Sequence, residues 1–391
     1  MEGRTIMPTH RHLRIVARDL VDRHDALFEH APPVGIQLRL GLLRAGQLNT
    51  KRRALVIVAL TWLPIVVLTA LAPDSGLVPR SGMHARYLIA APLLILAEST
   101  CAKRLTALSR HFLIGNLVLE RDRPRFDRIV TSTLQLLASP VAELMAWLTA
   151  YGITTAVLGS MAGNPWRDWA PAMWWNAFVS LPLLLVIMLG WVWRLALWAR
   201  FLFLVSRLDL RLVASHPDRA AGLGFTSQSL RAFALIALAV GAILASESAR
   251  VAATTHSIPM SQVRFDVAVL AAVIAVMTLP LVVLAPKIAR TYRRGVIEYG
   301  ELAADVGRAF ETRWLASRSA KVRESGLHEP DFSATIDLYS IVSNVYAMRL
   351  IPVALRDIVV LLVFSVLPFV PIVLATVPVA VLWAKLKELL L

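Results

Sequence analysis

The amino-acid sequence predicts an all-α fold, a polytopic transmembrane helix bundle of about seven spans with a helical cytoplasmic insert. Its 391 residues are 57% hydrophobic and 17% charged, whereas soluble domains are about half apolar and about a quarter charged. The apolar residues stand in blocks that approach the roughly 20 residues needed to cross about 30 Å of hydrocarbon. Basic residues gather in alternate loops between these blocks, which is the pattern that orients membrane helices.

Seven apolar blocks are expected to cross the membrane. The second is the weakest, because Pro92 and Glu98 interrupt a run that is barely long enough. The last is too long for a straight perpendicular crossing and contains Pro368, Pro371 and Pro378, so it must tilt, kink or fold back. The predicted spans are 54–72, 85–102, 139–160, 173–193, 230–248, 266–286 and 358–384.

The loop charges predict the orientation of these spans. Basic residues cluster at 51–53, 103–128, 200–219 and 287–294, whereas the intervening loops carry isolated ones. By the positive-inside rule, the basic loops and the N-terminus face the cytoplasm. The basic residues that give the net charge of +15 are therefore expected to bind the anionic lipids of the bilayer. No nucleic acid is expected as a partner.

Four regions follow from this pattern. Residues 1–53 form a cytoplasmic N-terminal region, in which apolar residues at helical spacing over 12–28 predict an amphipathic helix. Residues 54–286 form a transmembrane core of six spans, and residues 287–357 form the helical cytoplasmic insert. Residues 358–391 form a C-terminal transmembrane segment.

The insert contains two apolar stripes at helical spacing. The first repeats at alternating spacings of four and three, which is heptad spacing, and it indicates that the sixth span continues into the cytoplasm as a helix. A second stripe over 332–348 is the candidate partner in a helical hairpin. An oligomeric bundle of these helices would satisfy the heptad as well, so a homo-oligomer is also expected. The first stripe consists of Tyr292, Val296, Tyr299, Ala303, Val306 and Phe310.

Charged residues inside the predicted spans are candidates for an intramembrane polar site, because a charge at membrane depth costs several kcal/mol. Glu98, Glu143 and Arg194 lie toward the cytoplasmic ends of their spans, where they would form a charged vestibule. The ordinary alternative is that these side chains reach the interface or form structural ion pairs.

The string HPDRAAGLGF combines His216, Asp218 and Arg219 with two glycines and is a candidate site in a cytoplasmic loop. A histidine and an aspartate two positions apart supply at most two metal ligands, and no second ligand cluster follows at the required spacing. The ordinary alternative is a turn in which Pro217 and Asp218 begin a short helix and the glycines end it.

The sequence carries no motif of a known reaction. Cys101 is its single cysteine, so it has no intrachain disulfide and no cysteine pair for a metal. It contains no Gly-x-Ser-x-Gly elbow, paired zinc motif, Walker loop or dinucleotide fingerprint. The sequence thus gives no support for an enzyme, and it predicts neither a metal nor a cofactor.

Two strings in the C-terminal half carry a family resemblance. HPDRAAGLGF, and after it DFSATIDLYSIVSNVYAMRLIPV beginning at Asp331, resemble uncharacterised multi-pass proteins of proteobacteria. The resemblance implies a location in the bacterial inner membrane and brings no activity with it.

Three functions are compatible with the sequence, and an enzyme acting on lipid ranks third among them. The first is an oligomeric ion channel or transporter-like protein, in which the second to fourth spans contribute polar groups and the cytoplasmic helices gate or assemble the complex. The alternative is a membrane scaffold or sensor that docks a soluble partner through its cytoplasmic helices.

Overall fold

The computed structural model describes residues 50–71, 81–160, 170–255, 257–315 and 330–376. Within these residues the chain is a helical bundle with seven helices long and apolar enough to cross a membrane, which confirms the predicted fold class. The amphipathic helix expected at 12–28 and the end of the last apolar block lie outside the described residues. The seven spans are Thr50–Leu71, Gly82–Ile114, Pro140–Ser160, Pro171–Ser206, Ala234–Thr255, Met260–Val282 and Leu355–Ala375.

The second and fourth spans continue beyond the blocks predicted at 85–102 and 173–193. Their additional turns place large side chains in the interior, where they are shielded from water by neighbouring helices. These turns remain helical because burial of apolar surface stabilises them, although the sequence there is less continuously apolar. The buried residues of these extensions include Leu105, Phe112, Trp198, Phe201 and Val205.

The last span is broken, as its prolines predict. A helix over Leu355–Val366 is followed by a 3-10 turn at Leu367–Phe369 and a second helix over Val370–Thr376. Pro368 lies in this turn and has no N–H to donate to the preceding carbonyl, which accounts for the interruption.

A helix that we did not predict occupies the basic loop after the second span. It covers Arg123–Leu137 and packs against the fourth span, where the Trp193 indole N–H donates to the Leu136 carbonyl at 3.2 Å. Its buried face has the 3.6-residue period of an amphipathic helix and consists of Phe126, Val130, Thr133 and Leu137.

The insert forms a helical hairpin within one chain. Its helices, Ala285–Phe310 and Pro330–Tyr346, pack against each other, and the rings of Phe310 and Phe332 meet edge to face with centroids 4.9 Å apart. The first helix was expected to continue the sixth span directly, but the span ends at Val282. Pro286 in the first turn of the hairpin helix explains the break, because its ring excludes a continuous helix through this point.

The loops after the second and fourth spans and the end of the hairpin meet at one end of the bundle, which we call the basic end. The Arg211 N–H donates to the Leu117 carbonyl at 2.8 Å, and the Arg349 N–H donates to the Arg219 carbonyl at 2.7 Å. Short helices complete this end at Glu120–Asp122, Gly224–Gln228 and Ser229–Ala232.

Candidate functional site

Glu98 in the second span is bound by arginines of two neighbouring spans. Arg194 Nη2 donates to Glu98 Oε1 at 2.9 Å, and Arg53 Nη1 lies 2.5 Å from Glu98 Oε2. None of the three side chains is more than 3% exposed. The structure therefore brings together two of the predicted intramembrane residues, Glu98 and Arg194, and adds Arg53, which the sequence pattern places at the end of the cytoplasmic N-terminal region.

This cluster of Arg53, Glu98 and Arg194 carries two positive charges and one negative charge. Nε of Arg53 and two nitrogens of Arg194, Nε and Nη1, have no hydrogen-bond partner among the described residues. The Trp191 ring lies 4.6 Å from Arg194 Cζ, a cation–π contact that offsets part of the desolvation cost. Because the single carboxylate binds both arginines in the interior, we interpret the cluster as a connection between the first, second and fourth spans.

Glu143 lies elsewhere, in the first turn of the third span. Its side chain is partly exposed, and a carboxylate in the first turn interacts favourably with the positive end of the helix dipole. The position of Glu143 therefore has an ordinary electrostatic explanation.

The HPDRAAGLGF segment folds around the carboxylate of Asp218. Oδ1 of this side chain accepts backbone N–H bonds from Ala220 at 2.8 Å and Gly222 at 3.1 Å, and Oδ2 accepts one from Gly224 at 2.8 Å. Nδ1 of His216 lies 2.9 Å from Oδ1. The short helix expected to begin at Asp218 is absent from this described segment, because the carboxylate bonds successive N–H groups in a turn conformation.

Glycine is required at two positions of the segment for two different steric reasons. Gly222 has a φ of +91°, a conformation that costs little for glycine alone. A Cβ on Gly224 would lie 2.9 Å from Asp218 Oδ2, so the carboxylate leaves no room for a side chain. Arg219 and Ala221 also have positive φ, at 54° and 57°, which stores backbone strain in the loop.

A second carboxylate connects this loop to the start of the last span. Asp357 is 2% exposed and lies in the first turn of that span. Its Oδ2 accepts a hydrogen bond from the Ser227 hydroxyl at 2.5 Å, and its Oδ1 accepts one from Arg231 Nε. The Ser227 oxygen in turn accepts the Ala354 N–H at 2.8 Å.

A cavity of about 660 Å³ lies between these two carboxylates at the basic end. Its volume is within the range of small-molecule sites. Its walls come from the end of the second span, the loop between the fourth and fifth spans, and the start of the last span. Its charged and titratable lining consists of His111, Arg211, His216, Asp218, Arg231, Arg356 and Asp357.

Three arginines face two aspartates in this cavity, and the aspartates are already engaged. Asp218 is bonded to backbone N–H groups, and Asp357 is bonded to Ser227 and Arg231. Arg211 and Arg356 are exposed. The groups that remain available to a ligand are therefore mainly N–H donors with positive charge, an arrangement that binds carboxylates and phosphates.

No family model, curated protein or solved structure matches this chain. The resemblance of its two strings to inner-membrane proteins of proteobacteria, and the location that it implies, stay expectations. Function must therefore be inferred from the geometry of the cavity.

Two of the three predicted loop residues line the cavity, and the third does not. His216 and Asp218 line it, whereas Arg219 is exposed and contributes its carbonyl to the bond with Arg349. The described residues contain no group of three or more His, Cys, Asp or Glu side chains that could hold a metal ion. Sequence reasoning did not select Arg211 and Arg356, because charged residues outside the spans look like ordinary loop charges.

Proposed function

We propose that this integral membrane protein is a sensor that binds a small multivalent anion in the cavity at its basic end. The basic end faces the cytoplasm in this proposal, in agreement with the loop charges. The supporting observation is that both carboxylates of the cavity are satisfied internally while Arg211 and Arg356 are exposed. A carboxylate or phosphate group would receive paired N–H donors from such arginines.

The helical hairpin is the output element of the sensor. The loop that forms the cavity contacts the first hairpin helix and the segment that follows the second, because Ser215 Oγ lies 3.1 Å from the Tyr299 hydroxyl and the Arg219 carbonyl accepts the Arg349 N–H. An anion that shifts this loop would therefore shift the hairpin. Exposed apolar residues on the hairpin, such as Ile297 and Ile336, at 61% and 67% exposure, support its use in docking a soluble partner.

Titration calorimetry on the full-length protein in detergent tests the binding, with pyrophosphate and citrate as probes at low ionic strength. We expect the double variant Arg211→Gln/Arg356→Gln to bind about a hundredfold more weakly, at roughly tenfold for each charged hydrogen-bonding group. The matched control Arg293→Gln/Arg294→Gln removes the same charge from the exposed face of the hairpin and should bind as the wild type does. Equal affinity of all three proteins, or no binding by any, would overturn the proposal.

Coupling to the hairpin is tested by a distance measurement between spin labels. Ile114→Cys and Ala304→Cys place labels on exposed positions of the second span and the hairpin in a Cys101→Ser background. Pyrophosphate should change the distance distribution in this protein and leave it unchanged when Arg211→Gln/Arg356→Gln is added. Binding without any change in distance would retain the anion site and contradict the sensor mechanism.

Ion conduction by a homo-oligomer was the first role expected from the sequence. Arg53, Glu98 and Arg194 are paired with one another in a closed cluster, so this cluster gives no support for a path through one protomer. Ion conduction along an axis between protomers stays a prediction. Ion flux in proteoliposomes, measured together with the oligomeric mass in detergent, tests it.

A further inference from the structure

An apolar slot of about 310 Å³ lies between the fourth, fifth and sixth spans. Every side chain in its lining is apolar, and it lies within the membrane-crossing parts of these helices. Lipid chains match such a surface, because they offer neither donors nor acceptors and lose no hydrogen bonds on entering it. The fourth span contributes Met188, Trp191, Val192 and Leu195, and the sixth span contributes Val269, Ala272, Val273, Val276 and Met277.

A polar pocket of about 670 Å³ lies between the basic end of the fourth span and the start of the first hairpin helix, directly after the sixth span. Its lining includes Arg207, Lys287 and Arg290 against a single carboxylate, Asp209. That carboxylate is already bound by Arg121 Nη2 at 2.7 Å. Positive charge is thus in excess here, just beyond the ends of the fourth and sixth spans, where lipid headgroups are expected.

The fourth span lines both the slot and the pocket. On the fourth span, Leu195 of the slot and Phe203 of the pocket are eight residues apart in one helix, which corresponds to about 12 Å at 1.5 Å per residue. This separation is less than half of the roughly 30 Å hydrocarbon thickness. A single phospholipid can therefore place an acyl chain in the slot and its phosphate in the pocket.

We infer that the slot and the pocket together form a binding site for one anionic phospholipid. Charge complementarity selects the occupant, because basic pockets at the ends of transmembrane helices bind anionic headgroups. Arg207 and Arg290 supply exposed charge to the headgroup, and Lys287 is held in place by donating to the Leu208 carbonyl at 2.7 Å. This site is separate from the cavity of the proposed sensor and stands independently of it.

Native mass spectrometry of the full-length protein tests the headgroup half of the site. The probes are vesicle-derived phosphatidylglycerol and phosphatidylcholine with the same acyl chains, added in mild detergent. We expect the wild type to retain one phosphatidylglycerol, and Arg207→Gln/Arg290→Gln to bind it roughly 25-fold more weakly, at about fivefold per basic residue. Both substituted side chains are exposed, so the variant should fold normally. The control Arg293→Gln/Arg294→Gln should retain the lipid.

Adjacent alanines of the sixth span test the acyl half. Ala272 lines the slot, whereas its exposed neighbour Ala271 does not belong to the lining. Ala272→Phe should fill the slot and abolish retention of phosphatidylglycerol, while Ala271→Phe should leave it unchanged. Equal melting temperatures of the two variants exclude unfolding as the cause of the difference.

Three outcomes would overturn the inference. Equal retention of phosphatidylcholine and phosphatidylglycerol would remove the selectivity for an anionic headgroup. Displacement of the lipid signal by inorganic phosphate, without any effect of Ala272→Phe, would assign the pocket to a soluble anion. A dimer mass that Ala272→Phe converts to a monomer would make a second copy of this chain the occupant of the slot.

Discussion

Arg194 of the fourth span donates to Glu98 of the second span at 2.9 Å in a setting where both side chains are 2% exposed. Arg53 of the first span completes the cluster from the other side of the carboxylate. Three helices are therefore connected through one acidic side chain. Because the charges are removed from water, loss of one partner leaves the remaining charges uncompensated.

Glu98→Gln should consequently destabilise the protein by about 3–5 kcal/mol, the cost of breaking a buried ion pair. The measurement is thermal or denaturant-induced unfolding in detergent. Glu143→Gln is the matched control, since this side chain is partly exposed in the first turn of the third span, and it should change stability by less than about 1 kcal/mol. Equal melting temperatures for the two variants would contradict the role of Glu98 as a connection between spans.

The spans were predictable because hydrophobic length is a property of contiguous residues. The same pattern could not show that Arg53 turns inward. Lys51, Arg52 and Arg53 are consecutive basic residues at the start of a helix, and the helical rotation that buries the third of them depends on where Glu98 lies. Side-chain pairing between distant spans is set by tertiary packing, so one sequence does not reveal it.

The helix in the basic loop after the second span has a sequence signal of its own. Its buried residues recur at spacings of four, three and four, which is the pattern of an amphipathic helix, and they are Phe126, Val130, Thr133 and Leu137. The loop around Asp218 left no comparable signal, because its conformation depends on several N–H groups converging on one carboxylate. The cavity arginines Arg211 and Arg356 line one cavity only because the loop after the fourth span packs beside the start of the last span.

Gly224→Ala should destabilise the protein by about 1–3 kcal/mol, because the added methyl group would overpack the site beside Asp218. The contact would be 2.9 Å to Asp218 Oδ2, and the carboxylate cannot withdraw without losing its backbone hydrogen bonds. The measurement is the melting temperature together with proteolysis of the 216–225 loop. Gly152→Ala is the control, since a Cβ there meets nothing within 4 Å. A loop equally resistant to protease in both variants would argue against the Asp218 turn.

Gly295→Ala should loosen the contact between the hairpin and the cavity loop. A Cβ at this position would lie 2.5 Å from the Ala214 Cβ and 3.2 Å from Val345 Cγ1, so the loop or the helix must move. Hydrogen exchange of residues 207–224 should accelerate. Gly307→Ala lies in the same helix, but its Cβ would meet the Tyr339 hydroxyl, which is the end of a flexible side chain that can rotate away. Unchanged exchange in Gly295→Ala would show that the loop does not depend on this contact.

Ser227→Ala should cost about 1–3 kcal/mol, because it leaves an oxygen of the buried Asp357 carboxylate and the partly buried Ala354 N–H without this partner. The Ser227 hydroxyl donates to Asp357 Oδ2 at 2.5 Å and accepts the Ala354 N–H at 2.8 Å. It therefore connects the short helix that precedes the fifth span to the start of the last span. Ser246→Ala is the control, since its hydroxyl donates to the Ile243 carbonyl of its own helix, and that carbonyl keeps its helical partner.

A double-mutant cycle separates the bond to Asp357 from the bond to Ala354. If the hydroxyl acts through the carboxylate, Ser227→Ala and Asp357→Asn should be non-additive by more than about 0.5 kcal/mol in unfolding free energy. The anion-binding cavity adds a second measurement, because Arg231 lines it and also donates to Asp357. Loss of Ser227 should therefore weaken pyrophosphate binding as well as stability, since Asp357 then holds Arg231 less rigidly. Additive stability changes together with unaltered pyrophosphate affinity would contradict this link between the loop and the last span.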